Sequence, residues 1–185
     1  MTLRPKVTRV LMMGELGNQL FQLVFALSKS KLLNQSTELI FSSNPNRLTE
    51  FNLPLVSFVE PNRFGRIILG LRLKLVNWTV KTLVFFRLFP GIKIVEKLSN
   101  TVVEKVPHKF DQTLLDGSQG AIHYGYFQTW KYFASNENEI RKILKIKNES
   151  SEFKKLRESL GIEPFTAIHI RRGGVGPSII NAEFH

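Results

Sequence analysis

The chain contains no cysteine. That excludes a disulfide framework, a zinc ribbon and a thiol nucleophile, and it allows a reducing compartment. Aspartate is nearly missing as well: Asp111 and Asp116 are the two in the sequence, five positions apart. An Asp-x-Asp metal clamp and an EF-hand loop are therefore absent. His108, His123 and His185 share no metal-ligand spacing and no His-Glu-x-x-His occurs, so no metal is expected. The sequence also lacks a Gly-x-Ser-x-Gly elbow, which argues against a serine hydrolase. No run of about 18 uncharged apolar residues exists, so no membrane-spanning helix is expected. The opening Met1–Lys6 leads into an apolar run that Arg9 breaks and Gly14 closes, which fits a buried first strand better than a secretory signal. Without such a signal the sequons at Asn34, Asn77 and Asn148 carry little weight.

What the chain has in excess is positive charge. Its 185 residues hold 26 Lys and Arg against 15 Asp and Glu, a formal net charge of +11. Phosphorylated ligands, nucleic acid and acidic membrane surfaces are the partners such a balance favours. No recognised nucleic-acid motif is present, so nucleic acid is not expected. Hydrophobic content of 43% and charged content of 22% lie near the globular average and exclude wholesale disorder.

The basic excess is concentrated between 63 and 87, where Arg63, Arg66, Arg72, Lys74, Lys81 and Arg87 stand without one acid. Between them lie Ile67, Ile68, Leu71, Leu75, Trp78, Phe85, Phe86 and Phe89. At about 100° per residue these eight apolar side chains share an arc of roughly 100–200°, with Arg66, Arg72, Lys74, Lys81 and Arg87 outside it. Two readings stand: a basic amphipathic helix lying on an anionic leaflet, or a helix docked on its own core with a solvated basic face.

Elsewhere the pattern alternates strands and helices. A strand is expected at Lys6–Met13, a glycine turn at 14–17, and a helix from Asn18 to about Leu33. Leu39–Phe41 reads as a second strand ended by Ser42–Asn46. Ile92–Val95 and Thr101–Val106 are β-prone, and Ala121–Phe127 reads as a strand. Helices are expected near Asn136–Ile146 and at Glu152–Leu160, the latter stopped by Gly161 and Pro164. Phe165–Ile170 reads as a strand, apolar apart from Thr166 and His169. The sum is an α/β fold on parallel sheet. Gly174–His185 is too short for a crossover helix and another parallel strand, so this last strand begins a domain that the sequence does not complete.

Two segments could carry chemistry on pattern alone. Gly14-Glu-Leu-Gly-Asn-Gln19 stands where a strand turns into a helix, a place that offers free N–H groups and a positive dipole end to an anion. Asn18 and Gln19 add neutral donors; the bland reading is a glycine turn with an Asn cap. His169-Ile-Arg-Arg-Gly173 leaves the carboxyl end of an apolar strand, where open α/β sheets place ligands. Two guanidinium groups followed by a glycine suit a pyrophosphate, though an ordinary basic strand end reads the same way. The aromatic run His123–Phe133 fits either sugar recognition or a core corner.

Three of these segments, in order, resemble glycosyltransferase family eleven, the α-1,2-fucosyltransferases. Gly14-Glu-Leu-Gly-Asn-Gln-Leu-Phe-Gln22 is similar to that family's Gly-Gly-Leu-Gly-Asn-Gln-Met-Phe-Gln. Gly125-Tyr-Phe-Gln-Thr-Trp-Lys-Tyr-Phe133 is similar to its Gly-Tyr-Phe-Gln-Ser-x-Lys-Tyr-Phe, and His169-Ile-Arg-Arg-Gly173 to its His-x-Arg-Arg-Gly-Asp. The resemblance implies a GT-B-like enzyme of two Rossmann-type domains, inverting and metal-independent, needing no cofactor. It implies transfer of fucose from GDP-fucose to a galactose hydroxyl of a cell-surface glycan, on the cytoplasmic side and peripherally on the inner face of the membrane. Arg171 would hold the donor pyrophosphate with His169 and Arg172 in support. Gly14, Gly17, Asn18 and Gln19 would form the opposing wall.

Two of the chain's departures from the pattern bear on chemistry. Gly174 stands where the family has Asp, and Glu15 where many members have Gly. Glu15 is thereby a candidate general base for the acceptor hydroxyl, or an exposed turn residue. Members continue for roughly another hundred residues, an ordinary donor domain. The expected organisation is thus a Rossmann-like acceptor-side domain over 1–160 and the start of a donor domain over 161–185, a truncated chain that is inactive or very weak by itself. The competing functions are a non-catalytic glycan-binding module and a protein that binds membrane surfaces through its basic residues.

Overall fold

The computed structural model describes residues 6–42, 44–117 and 120–161. Five strands form one sheet: β1 (Val7–Leu11), β2 (Ser36–Ile40), β3 (Val56–Val59), β4 (Thr101–Val103) and β5 (Ile122–Tyr124), in the order β3-β2-β1-β5-β4. Every pairing is parallel. Parallel strands need crossovers: α1 (Leu16–Leu33) leads from β1 to β2, residues 41–55 lead from β2 to β3 without a helix among the described residues, and α2 (Arg63–Phe85) with α3 (Phe89–Ser99) leads from the edge strand β3 to the opposite edge β4. α4 (Gln112–Asp116) precedes β5, and α5 (Glu137–Ile143) follows it after two short 3₁₀ turns. The result is an α/β fold consistent with a Rossmann-like sheet. The compact unit holding all of this ends at Lys147; a second begins at Asn148 and contains α6 (Ser151–Leu160), capped by the Ser150 side chain.

The strand alternation sorts side chains onto two faces. On one face Val10, Met12, Leu39 and Val102 join Leu23, Phe25 and Ala26 of α1. Phe25 stacks on Phe127 with ring centroids 3.9 Å apart and meets the edge of Tyr132 at 5.2 Å. On the other face Leu11 and Ile40 pack on Leu73, while Val103 packs with Val76, Val80 and Ile92. α2 and α3 therefore cover the face that α1 leaves.

The structure moves several expected boundaries. α1 begins at Leu16 rather than Asn18, and its N-cap is Glu15, whose side chain makes no cap bond; Asn18 is not the cap. Ile92–Val95 is helix, not strand. Pro90 in the first turn of α3 tolerates helix entry, and Asn100 closes α3 in the left-handed region at φ 47°. β4 stops at Val103; the Glu104 N–H still donates to the Tyr124 carbonyl at 2.9 Å, and its carboxylate bonds the loop after β5. β3 and α4 were not expected: β3 is an edge strand of four residues, largely exposed, and too short for a clear alternation. The apolar strand expected at Phe165–Ile170 lies outside the described residues.

Candidate functional site

The order along the sheet breaks between β1 and β5, where a run descending to β1 meets the pair β5-β4. Open parallel sheets bind ligands beyond the carboxyl ends of their strands at such a border. Here the loop after β1 is Met12–Glu15 and the loop after β5 is Gly125–Thr129, so the segments 14–22 and 125–133 stand side by side where such a sheet keeps its crevice.

Polar side chains of α1 join them. Gln22 is fully buried; its Oε1 accepts from the Met13 N–H at 2.9 Å and its Nε2 donates to the Gly125 carbonyl at 3.0 Å. One amide thus bridges the ends of two adjacent strands. Gln128 Nε2 donates to Asn18 Oδ1 at 2.7 Å, a second tie between the same loops. Gln19, also fully buried, donates to the Gly14 and Pro45 carbonyls, both at 2.9 Å, and accepts from the Arg47 N–H at 2.9 Å. With both donors and its oxygen engaged, Gln19 holds the loops after β1 and β2 together. It does not offer a free amide to a ligand, contrary to the expectation for it.

Two glycines are needed on steric grounds. Gly14 has φ +71°, and a Cβ there would stand 2.2 Å from Asn18 Nδ2. A Cβ on Gly125 would meet Glu104 Cβ at 2.4 Å. That carboxylate lies beside the loop because Glu104 Oε2 accepts from the Tyr126 and Phe127 N–H groups, at 2.8 and 3.1 Å. Phe127 turns its backbone to φ 53° and sinks its ring onto Phe25, which leaves Tyr126 and Trp130 exposed at the rim.

The mouth of the crevice is the N-terminus of α1. Gly17 is exposed with open space where a Cβ would be, and no side chain caps the first turn, so a small anion can reach its N–H groups. Glu15 points outward and pairs with Arg47 at 3.1 Å, both side chains at least half exposed. Below the crevice His123 is fully buried, donates from Nδ1 to the Arg9 carbonyl at 3.1 Å and has a buried, unpartnered Nε2. Burial, then the nearby Lys29 charge, pulls its pKa down to about 4, so it is a neutral core histidine. Lys29 is itself buried and donates to the carbonyls of Leu114, Leu115 and Gly117, closing the end of α4. Its pKa is lowered to about 8, by burial against the charge of Asp116.

An apolar cleft of about 330 Å³ opens beside Gly17, between α1 and α5, lined by Leu20, Phe21, Val24 and Phe133. Its charged groups, Glu137 and Arg141, pair with each other at 2.8 Å, so it presents no chemistry to a polar substrate. Among the described residues no cluster of His, Cys, Asp or Glu could hold a metal, and no helix is long and apolar enough to cross a membrane.

No family model, no curated protein and no solved structure matches the chain. The site stands on its geometry.

Of the expected site residues, Gly14, Glu15, Gly17, Asn18 and Gln19 come together at the crevice, while His169, Arg171 and Arg172 lie outside the described residues. Gln22, Glu104, Gln128 and Arg47 were missed. Gln22 had a signal: with Gln19 it puts two amides three positions apart on an apolar helix, which predicts buried polar bonding. Gln128 stands inside the quoted segment 125–133, but its partner Asn18 is 110 residues away, and Glu104 and Arg47, acting across 22 and 32 residues, are marked by no local pattern.

Proposed function

We propose that this chain carries the acceptor-side domain of a GT-B-like, inverting, metal-independent glycosyltransferase that moves fucose from GDP-fucose to a galactose hydroxyl of a glycan. The observation that carries the reading is the Gln22 bridge, with the Asn18–Gln128 tie beside it. It joins two segments that resemble the same family, at the sheet border where a ligand would sit. An inverting transfer without a metal needs fixed cations and N–H dipoles on the leaving diphosphate. The open first turn of α1 supplies dipoles, and in this reading Arg171, with His169 and Arg172, supplies the cation. Tyr126 and Trp130, exposed at the rim, offer faces to a sugar ring. Glu15, held by Arg47, is the carboxylate at the mouth that could receive the acceptor proton.

Calorimetric titration of the full chain with GDP and GDP-fucose tests this, with Arg171→Ala as control. Micromolar binding that the substitution abolishes is the expected result. A folded chain that ignores both ligands overturns the donor site.

A further inference from the structure

Helix α2 has two apolar faces, and the fold uses one. Leu73, Val76 and Val80 are buried against the sheet and α3. Opposite them Phe64, Ile67, Leu71, Leu75, Trp78 and Phe85 fall within an arc of about 100° at about 100° per residue. All six are exposed, Trp78 to 67% and Phe85 to 80%. The stripe read from the sequence as the side that could dock on its own core is therefore the side turned to solvent. A continuous exposed apolar face of this length marks an interaction surface.

Three observations select the occupant. First, Arg63, Lys74 and Lys81 share a line along one flank of the stripe, within about 20° of one another, and no acid occurs between 63 and 87. Second, the polar groups on the stripe side are already satisfied: Thr79 Oγ1 donates to the Leu75 carbonyl at 2.9 Å and Thr82 Oγ1 to the Trp78 carbonyl at 3.0 Å. Hydroxyls bonded back to their own helix leave no donor to desolvate when the face enters an apolar medium. Third, two copies meeting through this face would bring like-charged flanks together, which opposes self-association.

We propose that α2 lies in the plane of an anionic lipid surface, with the Phe64–Phe85 stripe in the acyl boundary and Arg63, Lys74 and Lys81 on the headgroup phosphates. Such a helix binds by apolar area plus attraction to acidic lipid and does not span. The expected consequence is a protein held at the membrane, with the crevice on an adjacent part of the same compact unit.

The test uses the full chain with Trp130→Phe as background, so that Trp78 alone fluoresces. Vesicles of phosphatidylcholine alone are compared with vesicles containing phosphatidylglycerol, by co-sedimentation and by Trp78 emission. Binding to the anionic vesicles at least about tenfold tighter, with a blue shift, is expected, and Lys74→Glu/Lys81→Glu should weaken it by at least about tenfold. Leu71→Ser/Leu75→Ser should abolish the blue shift while leaving the circular dichroism unchanged, because both side chains are outside the core. Equal affinity for neutral and anionic vesicles overturns the proposal, as does an unshifted Trp78 at saturating lipid. Self-association that the Leu71→Ser/Leu75→Ser pair removes would assign the face to a second copy instead.

Discussion

Helices α1 and α2 cover opposite faces of the same sheet and treat their residues in opposite ways. α1 buries nine of its eighteen residues, including Gln19, Gln22, Ser28, Lys29 and Ser30. α2, with twenty-three residues, buries three and leaves Phe64, Trp78 and Phe85 with Leu71 and Leu75 in solvent. Between these two helices burial does not follow hydrophobicity alone. Gln19, Gln22 and Lys29 of α1 are held inside by the backbone carbonyls and N–H groups they satisfy, while Ser28 Oγ is buried without a partner. The apolar groups outside α2 stay exposed, Phe85 meeting only the edge of its neighbour Phe86 among the ring contacts of the described residues. A buried amide that bridges two loops positions a site, whereas an exposed apolar stripe beside basic residues is a surface for another phase.

The sharpest way to break that comparison is to truncate one residue from each helix. Phe25→Ala removes a fully buried ring that Phe127 and Tyr132 pack against, and should cost about 3–5 kcal/mol. Leu75→Ala, on the exposed stripe, should stay within about 0.5 kcal/mol of the parent. Urea denaturation of both variants measures the difference. A large loss from Leu75→Ala would show that the stripe is part of the core.

The α1 face should also respond to acid. The His123 pKa is depressed to about 4 from 6.5, so below pH 6.5 the unfolded chain takes a proton that the folded chain refuses. Stability from this group is complete above pH 6.5 and lost as pH falls towards 4, by about 3 kcal/mol in total. Denaturation midpoints at pH 7, 5.5 and 4 check it, and His123→Gln should flatten that window. Lys29 acts in the same direction at higher pH. With its folded pKa near 8 and an ordinary value of 10.5, stability rises between those two values as the folded state sheds its proton first.

The α1 face was largely legible in the sequence and the site only partly so. Val7–Leu11 and α1 announce themselves through an apolar run, a glycine turn and helical spacing, all local signals. The α2 helix was legible too, as the helical spacing read over 63–87 agrees with Arg63–Phe85. Which of its two apolar arcs would be buried was not, because that depends on the crossing over β4 and α3 rather than on α2 itself. Ile92–Val95 misled for a related reason: β-branched residues favour strands only where a sheet is present to receive them, and Ile92 instead packs on Val76 and Val80. At the crevice the glycines and Asn18 were readable as a strand-to-helix turn. Their partners were not, since Gln128 and Glu104 are brought in by the sheet order.

The smaller predictions sharpen what holds that crevice. Gln22→Leu keeps the shape but leaves the Met13 N–H and the Gly125 carbonyl without their partner, which should cost about 1–3 kcal/mol. Gln22→Glu retains the acceptor for Met13 and loses the donor to Gly125, so hydrogen exchange should quicken after β5 and not after β1. The Asn18–Gln128 bond is the weakest of the ties, being only partly buried. A double-mutant cycle with Asn18→Ala and Gln128→Ala should give a coupling of about 0.5–1 kcal/mol. If the bond only braces two loops, that coupling is the same with and without GDP. If the crevice holds the donor diphosphate, a bound ligand orders both loops and competes as an acceptor for the Gln128 Nε2 donor, and the coupling changes when GDP is added. An unchanged coupling at saturating GDP would move the ligand away from the first turn of α1, even if the chain binds it.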